Sequence, residues 1–94
     1  MANQLLLTAS VVSLAAMRYT PAGLPALNLV LEHESSVTEA GQARVVKATV
    51  KAVAFGVIAE RLVRQSIGSN WSFSGFLATP LKGRQLVFHL QDFS

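Results

Sequence analysis

At 94 residues the chain suits one domain, expected to span residues 1–94, and excludes two ordinary ones. It has no cysteine and only two histidines, so neither disulfides nor a zinc cluster is available to stabilise so small a core. It is 51% hydrophobic and 14% charged, with a net charge of +3, which excludes a basic tail and describes a mostly apolar domain with a few cations to place. Self-association is the remaining common source of stability, so a homodimer is expected. The lack of cysteine agrees with a cytoplasmic location.

Asn3 to Met17 is rich in Leu and Val with small residues between. Its Leu5–Ala16 core has the superficial form of a secretory signal, but no Lys or Arg precedes it and Thr8, Ser10 and Ser13 interrupt it. It is predicted to be a strand long enough to bend and serve two parts of a sheet. No apolar run approaches the roughly 18 residues of a membrane span, so no membrane partner is expected. Thr20-Pro21-Ala22-Gly23-Leu24-Pro25 is a turn by composition. Leu27, Leu29 and Leu31 then alternate with Asn28, Val30 and Glu32, predicting a half-buried strand over Ala26–Ser35. Ser35 to Gly41 has the composition of a polar loop.

Arg44 to Phe55 alternates again. Val46, Ala48, Val50, Ala52 and Ala54 are predicted to face inward; Val45, Lys47, Thr49, Lys51 and Val53 are predicted to face outward. From Val57 to Ser66 the period changes. Ile58, Ala59, Leu62 and Val63 share a helical face, Glu60 and Arg64 form an i,i+4 pair, and Gly68 suits a stop. Strand patterning returns over Gly68–Thr79, with Trp71, Phe73 and Leu77 as core. Pro80 to Arg84 is a basic turn, and Gln85–Phe93 is a last strand in which Leu86, Phe88 and Leu90 alternate with Val87, His89 and Gln91.

The predicted order is β-β-β-α-β-β. An all-β, five-stranded OB-fold barrel with one short helix between strands three and four has this order. In that fold the helix plugs one end of the barrel.

No constellation for catalysis stands out, so no enzyme activity, metal or cofactor is expected. In Glu32-His33-Glu34 the histidine points away from both carboxylates on a strand. Gly83, flanked by Lys82 and Arg84, is a turn rather than a phosphate cradle. The cations tell more. Arg18 leads into the first turn; Arg44, Lys47 and Lys51 lie on the third strand, the two lysines on one face; Lys82 and Arg84 sit between the last two strands. An OB fold uses that strand face and those loops for nucleic acid, with phosphate neutralisation supplying most of the non-specific affinity. Tyr19 is the first candidate for base stacking and Phe55 the second.

The opening Asn3-x-Leu5-x-Leu7, Pro21-Ala22-Gly23-Leu24-Pro25 and Val30-Leu31-Glu32-His33 resemble the bacterial primosomal replication protein N (PriB) family. Glu39-Ala40-Gly41, Ile67-Gly68-Ser69, Gly75-Phe76-Leu77 and Leu86–His89 extend the likeness over nearly the whole chain. The resemblance implies a dimeric OB fold that acts in replication restart. It implies partners in single-stranded DNA, the helicase PriA and, in some bacteria, a primosome loader protein. Carried over residue by residue, it places DNA binding at Arg18, Lys47, Lys82 and Arg84. The best-known members have tryptophan at the position of Lys47 and arginine at that of Glu34, so weaker, phosphate-dominated and salt-sensitive binding is expected here. A protein-interaction adaptor with residual DNA affinity is the alternative. An ordinary single-strand-binding protein is disfavoured, because an acidic tail is expected there and the sequence runs out at Asp92-Phe93-Ser94.

Overall fold

Period-2 patterning organises nearly all of the chain, and the computed structural model, which describes residues 1–94, converts it into strands. In order these are β1 (Leu5–Leu14), β2 (Arg18–Tyr19), β3 (Pro25–Glu39), β4 (Gln42–Phe55), α1 (Val57–Leu62), β5 (Asn70–Ala78) and β6 (Val87–Phe93). The five long strands match the five predicted. The two-residue β2 is an addition, paired to the start of β3 through Arg18–Ala26 and Tyr19–Pro25.

Hydrogen bonding runs β1-β5-β6-β4-β3 and returns to β1, so the sheet closes on itself. This is the five-stranded OB arrangement. Closure requires β1 to serve two neighbours. Leu5 to Ser10 pair with β5, and Ser10 to Leu14 pair with β3, across a register shift between Val11 and Ser13. Such irregularities bend a strand and sharpen its twist. The other join is parallel and short, with Ala52–Ala54 of β4 beside Phe88–Leu90 of β6.

Most inward residues are those the alternation marks, with two corrections: Leu86 precedes β6 and is exposed, and Val53, expected outward, is buried because β3 and β6 flank it on both sides. Val11, Leu27, Leu31, Phe73 and Phe88 are fully buried, with Ala52 and Ala54 leaving room for the two phenylalanines. One end of this core is closed by α1, which buries Ala59 and Leu62 completely. The helix is shorter than predicted. It ends at Leu62, so Arg64 lies in the following turn and the expected Glu60–Arg64 pair does not form. Arg61 instead approaches Asp92 at 3.6 Å and lies 4.5 Å from the centre of the Phe93 ring, tying the helix to the end of β6.

Where the β1–β3 ladder lapses, His33 takes over. Its ring N–H at Nδ1 donates to the Thr8 carbonyl (2.6 Å), and Nε2 is hydrogen-bonded to the Ser35 hydroxyl (2.7 Å). The carbonyl can only accept, which places a proton on Nδ1. The residue expected on the surface is therefore a half-buried stitch between two strands.

The predicted loop Ser35–Gly41 is mostly strand. β3 and β4 pair continuously from Ala26–Phe55 to Glu39–Gln42, and only Ala40 and Gly41 turn, at φ 52° and 77°. Ser35 to Glu39, Val37 apart, are polar because the outer hairpin stands away from the core, and that composition mimics a loop. Two successive positive φ angles are the requirement of a type I′ turn, which favours asparagine over alanine at the first position. Ala40→Asn is expected to raise stability by about 0.5–1 kcal/mol, read as a higher urea midpoint with unchanged slope.

Gly75 marks the closest approach in the barrel. It sits at the register shift between β5 and β6, where a methyl group would collide with the His89 carbonyl oxygen. Both partners are backbone, so neither yields cheaply. Gly75→Ala is expected to cost about 1–3 kcal/mol in urea unfolding. Gly83→Ala, whose added methyl would meet only ordinary contacts with Pro80, serves as the mild control.

Candidate nucleic-acid interface

The outer face of the barrel is set by parity along β4. Lys47, Thr49 and Lys51 are exposed, as predicted from alternation; Val53 and Phe55 continue the row by parity, but Val53 is buried between its neighbours and only Phe55 is exposed. Because Val53 lies beside His89 of β6, and His89 opposite Phe76 of β5, this row meets two more outward aromatic rings. Phe76 and His89 stack with centroids 4.8 Å apart and planes at 13°; His89 and Phe55 follow at 6.1 Å and 27°. The result is a three-ring shelf crossing three strands.

Beside it lies a cleft of about 820 Å³. One wall is the end of β1 with Arg18 and Asn28, the floor is Val30, Lys51, Val53, Phe55 and His89, and the other wall is Ala78–Leu81. Arg18 is aimed by a hydrogen bond from Nη2 to the Asn28 side-chain oxygen (3.2 Å), which leaves its remaining N–H groups free to meet an anion. Tyr19 is 68% exposed on the rim strand beside Arg18.

The predicted cations are distributed unequally. Arg18 and Lys51 line the cleft. Lys82 and Arg84 are exposed in the loop whose Pro80 and Leu81 form its wall, tightened by a Gly83 N–H to Pro80 carbonyl bond of 3.0 Å. Lys47 shares the face of Lys51 four residues nearer the hairpin tip, and its cross-strand neighbour is Glu34. Arg44 has the opposite parity. It projects from the other face and pairs with Glu39 at 3.5 Å, so it is not brought together with the others.

His89 and Phe76 were not singled out by their residue types. The available signal was parity: His89 alternates with buried Phe88 and Leu90, and Phe55 with buried Ala54. Only the parallel β4–β6 pairing puts their rings together.

The chain is similar along residues 3–92 to the model of a family described as another single-strand binding protein family. It is 49% identical over 91 residues to replication restart protein PriB of Bordetella pertussis, covering 96% of this chain and 85% of the relative. The likeness to replication restart protein PriB of Nitrosomonas europaea is 37%, covering 96% and 84%. Among solved structures, PriB from Ralstonia solanacearum superposes with a TM-score of 0.91 at 37% identity, covering 100% of this chain and 97% of that one. The single-stranded DNA binding protein of Thermus aquaticus superposes with a TM-score of 0.79 at 25% identity, covering 99% of this chain and 49% of that one. Continuous similarity from Asn3 to Asp92, in both sequence and strand order, means that this chain belongs to the PriB family of replication restart proteins.

Proposed function

We propose that the protein binds single-stranded DNA across the cleft and serves as a non-enzymatic accessory factor in replication restart. The observation that carries this reading is the juxtaposition of Arg18 and Lys51 with the Phe55–His89 stack in one open cleft. Cations neutralise phosphates and the ring shelf accepts a base face, the two requirements for sequence-tolerant single-strand binding. The names of its relatives and the fold shared with a single-stranded DNA binding protein support the same reading. Lys82 and Arg84 extend the phosphate track along the loop, and Tyr19 offers a second stacking surface at the rim. Lys47 contributes less, because Glu34 opposes it.

Anisotropy of a labelled oligothymidylate, titrated at several salt concentrations, tests this. Phe55→Ala is expected to cost about 1–3 kcal/mol of affinity, roughly tenfold or more. Arg18→Ala and Lys51→Ala should each flatten the log K against log salt slope by about one, while Arg44→Ala leaves it unchanged. No binding of the wild-type chain at low salt would sink the reading.

In the cell this DNA-bound form would work with the helicase PriA as a homodimer. On β1 the edge from Leu6 to Ala9 lacks a strand partner on the side away from β5, whereas Ser10 is paired on both sides. Leu6 is 74% exposed there. Leu6→Lys should therefore shift sedimentation from dimer to monomer.

The opposition of Glu34 to Lys47 favours an adaptor as the second reading, in which the loop chiefly contacts the helicase. Charge reversal at Lys82 and Arg84 separates the two. Loss of helicase stimulation with oligonucleotide affinity intact identifies the adaptor.

A further inference from the structure

Most of one edge of β4 has no strand beside it. On the β6 side pairing begins only at Ala52, so alternate residues from Val45 to Lys51, those not bonded to β3, offer their N–H and C=O groups to whatever lies there. Along this open edge runs a second cleft, of about 540 Å³, lined by Leu5, Leu7, Val50, Leu77 and Leu86 and bordered by Lys51. Leu86 is 59% exposed at its mouth. The edge therefore has an apolar hollow on the inward side of β4 and, on the outward side, Lys47 and Lys51 at a spacing of two strand periods.

The opposite edge of β4 shows what such a strand accepts. There β3 presents Glu32 and Glu34 outward, opposite Thr49 and Lys47, while Leu31 and His33 turn inward. A ligand repeating that pattern on the open edge would place acidic groups beside Lys47 and Lys51 and apolar groups in the hollow. We propose that the open edge of β4 is a docking site for an extended peptide of alternating acidic and apolar residues, added as a further strand. Main-chain hydrogen bonds would supply affinity, and the hollow and the lysines the choice of side chains. Its neighbours Lys82 and Arg84, in the loop leading to Leu86, add to the same positive field.

The proposal shares Lys47 and Lys51 with the DNA reading but rests on the open edge and its apolar hollow, and its test contains no nucleic acid. The probe is a labelled octapeptide alternating aspartate with leucine, followed by fluorescence anisotropy on the full chain. Saturable binding is expected, at least tenfold tighter than for the same residues arranged in two blocks or for a lysine–leucine alternation. Leu86→Asp and Lys47→Glu should each weaken it about tenfold. Both residues are exposed, and unchanged circular dichroism confirms the fold. N-methylation of one set of alternate peptide amides should abolish binding, and of the other set leave it intact, because only one peptide edge faces β4. Equal affinity for the block peptide, or indifference to both N-methyl sets, overturns strand addition. A self-associated chain that Leu86→Asp converts to a lower oligomer also overturns it, by making a second copy the occupant.

Discussion

At Ser10 the first strand changes neighbours, and the rest of the molecule depends on that exchange. The first strand closes the five-stranded ring by presenting one edge to β5 and the other to β3. β1 does so within ten residues, holding β5 through Ser10 and β3 from Ser10 onward. The price is a short stretch of unsatisfied edge, and His33 offsets part of it by donating to Thr8. Once the ring is closed, inward parity supplies most of the core and outward parity most of the surface. Phe55, His89 and Phe76 then share a shelf that none of their strands makes alone.

The same closure explains why the two ends of β4 behave differently. Near Phe55 it is held on both sides and its outward residues are fixed in position, as a binding surface requires. Towards Gln42 it has only β3 for a neighbour, and its charges are partly spent within the hairpin: Arg44 on Glu39, and Lys47 opposed by Glu34. Exposed pairs of this kind contribute little stability. Their effect is to reduce the positive potential of the arm relative to the barrel. The aromatic surface of this chain lies on the barrel wall, where stacking against His89 orients Phe55.

Strand content, the order of the long elements and most of the core were legible in the sequence. Leucines at alternate positions from 27 to 31 and alanines at 52 and 54 mark faces by parity alone, whatever they pack against. The Ser35–Glu39 segment was misleading because polar composition reports exposure, and an exposed hairpin and a loop are equally exposed. The helix end was missed because Val63 continues the apolar period while the chain has already turned.

The local residues therefore determined which side of most strands is apolar and how many cations there are to place. The tertiary structure alone decided which outward residues meet. Parity assigns a side chain to a face, but only register assigns it a neighbour across strands distant in sequence. That is why Lys47 and Lys51 share one strand in the sequence, whereas the meeting of Arg18, Lys51, Phe55 and His89 around one cleft comes from the β2–β3 and β3–β4 pairings together with the parallel join of β4 to β6.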